Sequence, residues 1–485
     1  MGAAAIVTMG VQQFRGLATD SREVKPGYLF AALSGSKTDG ARFIEDAVKR
    51  GAIAVLGAPA AADTAKALGV RFIAAANPRL RLAELASEFY AAQPGVIAAV
   101  TGTNGKTSVA SFLRQIWAFQ GRQAASLGTI GIDAPSGHVP LGHTTPDPVR
   151  LHAELARLKH EGVDHLALEA SSHGLDQYRL DGVKIAAAGF TNITRDHLDY
   201  HASFENYLSA KLRLFRELVK EGGVAVVNAD ADHSSDFLAA AEKRRLRILT
   251  VGERGESLTL VKCVPHTGGQ DLTLRYAGRD HRIALPLAGS FQASNALVAA
   301  GLALGLGDAA DKVFAALAML KGAPGRLELV ARTGEGAPIY VDYAHTPDAI
   351  ETVLKALRPH VKGRLHIVFG CGGDRDRGKR PLMAEAATRY ADAVIVTDDN
   401  PRSEDPAAIR REVMLAAPGA REFGNRAEAI AQAVAALAAE DTLVLAGKGH
   451  EDYQIVGNEA QPFSDRAEAV KAARAGGGAA LGECA

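Results

Sequence analysis

Short apolar runs alternate with helical segments along most of this chain, and that alternation limits the folds it can adopt. The runs that predict buried strands are GYLFAAL, AIAVLGA, VIAAVTG, DHLALEA, KIAAAGFTNI, PIYVDYA, RLHIVFG, DAVIVTD and DTLVLAG. The segment ARFIEDAVKRG predicts a helix between the first two of them. Strands that alternate with helices are typical of parallel sheets joined by right-handed crossovers. The sequence therefore predicts an α/β fold with mostly parallel sheets.

The length of the chain indicates more than one domain. At about 150 residues per domain, 485 residues correspond to three domains. Glycine and proline interrupt the pattern at AAQPG, residues 91–95, and at GAPGR, residues 322–326. We therefore predict domains at residues 1–92, 93–326 and 327–485.

Composition excludes several classes of protein. Lysine plus arginine and aspartate plus glutamate both number 55, so the chain as a whole has no basic surface for nucleic acid. Three scattered cysteines, Cys263, Cys371 and Cys484, predict neither a disulfide framework nor a paired zinc site. The longest apolar stretch, residues 296–307, is shorter than the ~18 residues of a membrane span, and no secretory signal is predicted. We expect a soluble, cytoplasmic protein without a nucleic-acid partner or membrane insertion.

A glycine-rich loop gives the strongest local signal. The strand VIAAVT runs into Gly102-Thr103-Asn104-Gly105-Lys106-Thr107, and a helix follows. The apolar residues of that helix share one face: Val109, Phe112, Leu113, Ile116 and Trp117. Such a loop presents backbone N–H groups to phosphate, while Lys106 adds positive charge and the Thr107 hydroxyl suits Mg²⁺. The loop is two residues shorter than GxxxxGK[ST], because Val100 stands at the first glycine position. The context favours a phosphate site over a turn with a solvated lysine.

Two further residues are candidates for metal binding. Glu169 ends the predicted strand DHLALE, and a carboxylate at that edge suits Mg²⁺. The alternative is a strand-end acid followed by a serine helix cap, and the local motif does not separate the two. His197 follows another predicted strand, although a single histidine is more often structural than a ligand.

Lys211 lies on the apolar face of a predicted helix. The segment SFENYLSAKLRLFREL repeats apolar residues at helical spacing, namely Phe204, Tyr207, Leu208, Leu212 and Phe215. The residues alone favour a lysine whose flexible stem carries the amine to the solvent edge. The alternative is a desolvated amine with a lowered pKa, available for chemistry.

Polar loops follow three predicted strands of the last domain. These loops are residues 371–380, 399–402 and 448–451. Because ligands of open α/β sheets bind at the carboxyl ends of the strands, we expect the loops to form one crevice. Arginine for a carboxylate and aspartate or glutamate for an ammonium group would suit a zwitterion. The alternative is a charged, solvated rim.

Taken together, the motifs resemble a known family. TGTNGKTS, HTTPDP, LEASSHG, NITRDHLDYH, DYAHTPDA, GGDRDRGKRP, DDNPR and AGKGHE occur in this order and span nearly the whole chain. The chain resembles the ATP-dependent Mur ligases of peptidoglycan synthesis. The resemblance implies three domains: one for the UDP end of the substrate, a central P-loop-type ATPase, and a C-terminal Rossmann-like domain for an incoming amino acid.

The resemblance also implies an activity. The motifs are similar to those of members that add meso-2,6-diaminopimelate to UDP-N-acetylmuramoyl-L-alanyl-D-glutamate, with ATP as co-substrate and Mg²⁺ as cofactor. In that reaction ATP phosphorylates the side-chain carboxylate of the D-glutamate, and an amine of diaminopimelate attacks the acyl phosphate. All expected partners are small molecules, and a monomer is expected.

Site residues follow from the resemblance by motif. For ATP they are Gly102, Thr103, Asn104, Gly105, Lys106, Thr107, Asn295, Arg326 and Asp342. For the UDP-N-acetylmuramoyl dipeptide they are Ser21, Ser36, Lys37, Thr38, Thr144, Thr145, Ser171, Gln177 and Arg179; His143 replaces an expected asparagine. For diaminopimelate they are Arg375, Asp399, Asn400, Pro401, Arg402, Gly447 and Glu451. The implied catalytic residues are Lys106, Lys211, His197 and Glu169, and the implied Mg²⁺ ligands are Thr107, Glu169, His197 and Lys211 modified to N6-carboxylysine.

Arg402 distinguishes addition of diaminopimelate from the most similar alternative, addition of lysine. Its guanidinium can bind the second carboxylate of diaminopimelate, whereas lysine lacks that group and would leave Arg402 unpaired. The alternatives are the lysine-adding ligase of the same fold, a folylpolyglutamate synthetase-like ligase, and a regulatory nucleotide-binding protein without ligase activity. The DDNPR and GGDRDRGKRP loops argue against the first two. The complete set of Lys106, Glu169, His197 and Lys211 argues against the third.

Overall fold

A computed structural model describes residues 13–35 and 38–480 of the chain. The described residues divide into two compact units. One is formed by residues up to 106 together with residues 117–227 and 231–249, and the other by residues 107–116, 228–230 and those from 250 onwards.

The bounds of the elements in the first half of the chain are as follows. The strands are β1 (Gly16–Ala18), β2 (Tyr28–Ala32), β3 (Ala54–Gly57), β4 (Arg71–Ala74), β5 (Val96–Thr101), β6 (Ala124–Gly128), β7 (Gly131–Ala134), β8 (Gly137–Val139), β9 (His165–Glu169), β10 (Ile185–Phe190), β11 (Val219–Asn228) and β12 (Arg247–Gly252). The helices are α1 (Ile44–Lys49), α2 (Ala62–Ala67), α3 (Pro78–Tyr90), α4 (Lys106–Phe119), α5 (Pro148–His160), α6 (Ser172–Asp176), α7 (Leu198–His201), α8 (Phe204–Arg213) and α9 (Ser234–Lys243).

The first unit contains two sheets that are mostly parallel. The N-terminal sheet has the order β1-β2-β3-β4, and its strands are all parallel. In the second sheet, the parallel strands β11-β10-β5-β9-β6 are followed by antiparallel β7 and β8. The central strands β5, β9 and β10 are buried on both faces, which explains why their sequences are continuous apolar runs.

The helices that the sequence predicts after β2, after the glycine loop and around Lys211 are all present. The predicted helix after β2 begins as a 3₁₀ turn at Gly40–Phe43 and continues as α1. The five apolar residues of α4 that were expected on one face are all fully buried. Beyond Arg213, helix α8 continues as a π-helical segment, Leu214–Leu218.

The bounds of the elements in the second half are as follows. The strands are β13 (Leu258–His266), β14 (Gly269–Tyr276), β15 (Arg279–Leu285), β16 (Glu328–Arg332), β17 (Pro338–Asp342), β18 (Leu365–Phe369), β19 (Ala393–Thr397), β20 (Arg421–Phe423), β21 (Thr442–Ala446), β22 (Tyr453–Val456), β23 (Glu459–Pro462) and β24 (Ala479–Ala480). The helices are α10 (Ser290–Gly305), α11 (Ala310–Leu317), α12 (Pro347–Leu357), α13 (Lys379–Tyr390), α14 (Pro406–Met414), α15 (Arg426–Ala435) and α16 (Asp465–Ala475).

The C-terminal sheet has helices on both faces. Its order is β20-β19-β18-β21-β17-β16-β24, parallel from β20 to β17, with β16 and β24 added antiparallel. Apolar residues of α12, α13 and α14 form one core, and those of α15 and α16 form the other. Strand β21 lies between β17 and β18 in the sheet, so the connection from β17 to β18 passes over it. The carboxyl ends of β18 and β21 therefore flank a topological switch point.

Antiparallel pairing is more extensive than the sequence analysis predicts. Strands β13, β14 and β15 form a meander, and β22 pairs with β23 in a separate hairpin. Residues Ala277 and Gly278 both have positive φ, as a tight two-residue hairpin turn requires. The alternation of buried Leu272 and Leu274 with more exposed neighbours was the available signal for a half-buried strand. Within the residues that the structure describes, no helix is long and apolar enough to cross a bilayer.

Candidate active site

The glycine loop has the strand–loop–helix geometry that the sequence predicts. The loop leaves β5 at Gly102 with a φ of 153°, and a Cβ there would overlap Thr191 Oγ1. Gly105 precedes α4 with a φ of 87°, in the left-handed region that glycine adopts readily. The ammonium group of Lys106 folds back and donates hydrogen bonds to the carbonyl oxygens of Gly102 and Thr103, each at 2.8 Å. The lysine therefore lies over the loop whose backbone would receive phosphate.

Residues after β10 hold this loop in place. The backbone N–H of Thr103 donates to Asn192 O at 2.9 Å, and the N–H of Asn104 donates to Asn192 Oδ1 at 3.0 Å. The Thr103 hydroxyl lies 2.9 Å from the Tyr207 hydroxyl. The NITRD segment is therefore part of the loop's support, a role that its motif alone did not indicate.

Lys211 does not reach the solvent edge. Lys211 is only 1% exposed, and its Nζ donates a hydrogen bond to Gly102 O at 2.7 Å. The amine also lies 4.5 Å from the centre of the Tyr207 ring. Burial, reinforced by the positive charge of Lys106, holds the pKa of Lys211 well below its usual value. The expectation from the residues alone was wrong, because Lys211 points at the glycine loop, where Gly102 O accepts its hydrogen bond and the Tyr207 ring lies beside it.

Glu169 is a buried carboxylate with neutral partners. Its Oε1 accepts the backbone N–H of Thr129 at 2.9 Å, and its Oε2 accepts the Thr129 hydroxyl at 3.1 Å. A Cβ at Gly128 would overlap the carboxylate, so β6 approaches it closely. A buried carboxylate whose hydrogen-bond donors are neutral fits a bound cation, because a buried charge requires a compensating one.

His197 occupies a different environment from Glu169. Its side chain is about half exposed and lies 4.8 Å, ring centre to ring centre, from His173. Within residues 13–35 and 38–480, no three histidine, cysteine, aspartate or glutamate side chains are grouped closely enough to hold a metal ion. The Mg²⁺ set of Thr107, Glu169, His197 and carbamylated Lys211 contains only two residues of these types and stays a prediction.

The residues expected to bind the dipeptide form one hydrogen-bonded group. The Thr145 hydroxyl donates to Glu169 O at 3.0 Å and accepts the Ser171 hydroxyl at 3.0 Å. Arg179 donates to Thr145 O at 2.6 Å and to Gln177 Oε1 at 2.8 Å. The group is tied to Glu169 through the same threonine, so the structure brings the predicted dipeptide contacts next to the predicted metal ligand.

The remaining predicted contacts of that substrate are more dispersed. Thr144 Oγ1 lies 3.0 Å from Thr129 Oγ1, and Ser21 is buried at the start of a 3₁₀ turn, Ser21–Glu23. Thr38 and His143 are exposed. Ser36 and Lys37 lie outside the described residues.

The second unit contains the other predicted ATP residues. Asn295 is buried and donates to Gln292 Oε1 at 3.2 Å. The guanidinium of Arg326 lies 4.9 Å from the centre of the Tyr343 ring. Asp342 ends β17 and accepts the backbone N–H groups of Leu327 at 2.6 Å and Ala344 at 2.8 Å. Burial raises the pKa of Asp342 to about 6, although Arg326 and the two N–H groups oppose the rise.

The loops after β18, β19 and β21 meet, as the sequence predicts. Arg402 has a φ of 52° and donates from Nη1 to Gly373 O at 2.9 Å. The Gly373 N–H donates to Asn400 O at 2.9 Å, and a Cβ at Gly373 would overlap Pro401 O. The backbone of Arg402 also pairs with β22. These contacts hold Arg402 by its backbone against β22 and by its guanidinium against Gly373, whereas Arg375 is exposed.

Lys448 lies at the centre of these loops, and the sequence analysis missed its role. Its side chain has no exposed surface, and its Nζ donates to Asn400 Oδ1 at 3.1 Å and to Asp399 Oδ1 at 3.4 Å. It also lies 3.6 Å from Glu451 Oε2. The amide of Asn400 in turn donates to Glu451 at 3.2 Å. One buried cation between two carboxylates leaves a net negative charge for a ligand's ammonium group.

Three family models match the chain in order. Residues 13–90 match the catalytic domain of the Mur ligase family, residues 100–303 the Mur ligase middle domain, and residues 325–449 the glutamate ligase domain of Mur ligases. The chain belongs to the Mur ligase family. The predicted α/β fold and the three-domain architecture are confirmed, and the exact boundaries stay a prediction.

Curated relatives of this Mur ligase share more than half of its residues. A protein of Bradyrhizobium diazoefficiens is 56% identical over 95% of this chain and 94% of its own length. A protein of Brucella melitensis is 54% identical over 96% of this chain and 94% of its own length. Both relatives are named UDP-N-acetylmuramoyl-L-alanyl-D-glutamate–2,6-diaminopimelate ligase.

Solved structures extend the similarity. A structure of a ligase with the same name is 37% identical, has a TM-score of 0.72, and the match covers 95% of both chains. The MurF ligase of Thermotoga maritima in complex with ADP has a TM-score of 0.61 at 19% identity and covers 91% of this chain and 95% of its own. At that identity the second similarity concerns the fold alone.

Proposed function

We propose that this Mur ligase joins meso-2,6-diaminopimelate to UDP-N-acetylmuramoyl-L-alanyl-D-glutamate, with conversion of ATP to ADP and phosphate. The observation that carries the proposal is the arrangement around Lys448, where Asn400 of the DNPR loop bonds to both the buried lysine and Glu451, as a site for a charged amino acid would require. Relatives at 54–56% identity that bear the name of this reaction support it.

The reaction proceeds in two steps in this proposal. The γ-phosphoryl group of ATP passes to the D-glutamate side-chain carboxylate, giving an acyl phosphate and ADP. An amine of diaminopimelate then attacks the acyl carbon, loses a proton, and expels phosphate to leave the amide. The loop N–H groups and Lys106 would neutralise charge on the phosphates during transfer. Thr145 and Ser171 would orient the dipeptide beside Glu169.

Mg²⁺ fits the residues present in the first unit. Glu169 is buried with neutral donors only, and Lys211 is an amine whose lowered pKa favours the neutral form that reacts with CO₂. Glu169 and carbamylated Lys211 would hold the cation, and the motif adds Thr107 and His197. Bound Mg²⁺ would neutralise phosphate charge, and protein sites for it use few protein ligands because phosphates complete the set.

Diaminopimelate rather than lysine is the proposed amino acid. Arg402 can pair bidentately with the carboxylate that diaminopimelate has and lysine lacks. Its backbone pairs with β22 and its guanidinium donates to Gly373 O, so both the backbone and the side chain of Arg402 have partners in these loops. Lysine would therefore leave a guanidinium without an anionic partner.

Phosphate release tests the proposal directly. The assay contains ATP, Mg²⁺ and UDP-N-acetylmuramoyl-L-alanyl-D-glutamate, with meso-diaminopimelate in one arm and L-lysine in the other. Release with diaminopimelate alone is expected. Release with lysine alone would keep the ligase but contradict the role of Arg402, and release with neither would favour a regulatory nucleotide-binding protein.

We further propose that the enzyme works as a monomer in the cytoplasm. Its substrates are small, charged molecules, and the chain has three cysteines, of which Cys263 and Cys371 are free thiols. Free thiols fit a reducing compartment.

A further inference from the structure

Two arginines of the first unit share one neutral acceptor. Arg79 Nη1 donates to Gln177 Oε1 at 3.4 Å, and Arg179 Nη2 donates to the same oxygen at 2.8 Å. Their other acceptors are the backbone oxygens of Ser34, at 2.6 Å from Arg79, and Thr145, at 2.6 Å from Arg179. Two like charges thus converge on an amide and two carbonyl groups.

Two carboxylates of this region, those of Asp147 and Asp176, have other hydrogen-bond partners. Asp147 accepts the N–H groups of Val149 and Arg150 at the start of α5. Asp176 accepts the Tyr200 hydroxyl at 2.7 Å. Burial lowers the pKa of Arg179, and the charge of Arg79 lowers it further while Asp147 opposes the change. An anion placed between the guanidinium groups would relieve their repulsion.

The position of Arg79 indicates which anion that is. Arg79 lies at the start of α3 and binds the segment at Ser34, next to the loop expected to contact the uridine end. On its other side it contacts Gln177, which is expected to contact the muramoyl dipeptide. The diphosphate is the group that connects the uridine end to the muramoyl end in the proposed substrate.

We propose that Arg79 and Arg179 form a clamp on the diphosphate of the UDP-linked substrate, with Arg79 as a binding residue that the sequence motifs did not indicate. The proposal rests on the nucleotide-linked substrate proposed above. Guanidinium groups bind phosphate oxygens through parallel N–H donors, and two of them match the two phosphates.

Arg81 offers a matched control on the same helix. It is paired with Glu84 at 2.9 Å, so Arg81→Ala removes the same charge without touching the clamp. Arg79→Lys keeps the charge but removes the planar fork. Calorimetric binding of UDP and of uridine to each variant, without ATP or diaminopimelate, separates a phosphate contact from a role in holding the Ser34 segment.

We expect Arg79→Ala to weaken UDP binding about 10- to 100-fold and to leave uridine binding unchanged. This fold-change corresponds to the free energy that a hydrogen bond to a charged group contributes. Arg79→Lys should lose less, and Arg81→Ala should match the wild type. Unchanged UDP binding, or equal weakening of UDP and uridine, would overturn the clamp. So would a wild-type chain that binds UDP no better than uridine.

A third probe distinguishes the diphosphate from the substrate's carboxylates. N-acetylmuramoyl-L-alanyl-D-glutamate carries the carboxylates without UDP, and its binding should be equal in the wild type and Arg79→Ala. A selective loss for this probe would assign Arg79 to a carboxylate and contradict the proposal. None of these binding measurements involves ligation. A result that contradicts the clamp therefore leaves the proposed reaction untouched, and the phosphate-release assay tests that reaction separately.

Discussion

At the scale of single residues, Lys211 is the clearest case of a side chain whose environment implies chemistry. Burial and the charge of Lys106 lower its pKa, which favours the neutral amine that reacts with CO₂ over the charged form. We expect Lys211→Ala to lose most ligase activity, because the carbamate carboxylate would be missing. Added formate or acetate should restore part of it.

The measurement is turnover with and without added formate or acetate at about 0.1 M, a concentration high enough for a weakly bound anion to occupy the site. Lys220→Ala, which removes an exposed lysine, is the control and should behave as the wild type. Turnover of Lys211→Ala close to that of the wild type would contradict the carbamate.

Arg402 is expected to govern the choice of amino acid. Arg402→Ala should raise the KM for diaminopimelate by about 10-fold or more, since a charge-assisted hydrogen bond contributes about 1.5–3 kcal/mol. The KM for ATP should be little changed. Arg411→Ala, at an exposed arginine on α14, is the control. An unchanged KM for diaminopimelate would remove Arg402 from the site.

Lys448 positions groups rather than contacting substrate in our proposal. Lys448→Met should raise the KM for diaminopimelate more than it lowers kcat, because Asp399, Asn400 and Glu451 lose the cation that holds them. A lower amount of folded enzyme with an unchanged KM for diaminopimelate would indicate a role in stability alone.

At the scale of elements, the turn from β5 into α4 depends on the absence of a side chain. A Cβ at Gly102 would overlap Thr191 Oγ1, and the φ of 153° is unfavourable for other residues. Gly102→Ala should displace the loop and with it the carbonyl that both Lys106 and Lys211 contact. We expect weaker ATP binding by about 10-fold or more, measured by calorimetry.

Gly476→Ala is the matched control for this change. Gly476 follows α16 with a φ of –95°, and a Cβ there would meet its nearest neighbour at 3.6 Å, an ordinary contact. Equal ATP affinity in Gly102→Ala and Gly476→Ala would show that the loop tolerates a side chain.

The strands and helices that the sequence predicted are those determined by a single local pattern of apolar residues. The nine apolar runs became strands because each is long enough to be buried within a parallel sheet. The meander of β13 to β15 was not predicted, since a half-exposed strand such as β13 interrupts its apolar residues with polar ones and forms no continuous apolar run. The π-helical segment after α8 was not predictable either, because no residue type specifies that register.

At the scale of the whole molecule, Asp342 links stability to pH. Burial raises its pKa from 3.8 to about 6, so the folded chain keeps a proton that the unfolded chain releases between those values. This contribution to the free energy of unfolding is complete below about pH 4 and is lost as the pH rises through about 6. Between pH 4 and pH 7 it amounts to about 2 kcal/mol.

The comparison with Asp342→Asn isolates that contribution. Urea unfolding of the wild type and the variant should give a free-energy difference that changes by about 2 kcal/mol over this range. Asp63→Asn, at an exposed aspartate of α2, should show no such change. A constant difference between the wild type and Asp342→Asn would mean that Asp342 titrates normally.

The sequence by itself determined the features that reside in short segments. The order of strands and helices, the glycine loop and the polar loops after β18, β19 and β21 could each be predicted, because hydrophobic period and local backbone conformation depend on near neighbours. The resemblance to Mur ligases followed from the same segments, since their motifs are local.

Only the tertiary structure decided the state of the charged side chains. Lys211 is buried rather than at the solvent edge, and Lys448 connects the acidic loops, because residues distant in sequence surround both amines. Arg79 likewise joins residues 45 and 98 positions away along the chain. The free energy of a buried charge depends on the groups that surround it in space. Those groups come from distant parts of the chain, so the pattern within one segment does not reveal them.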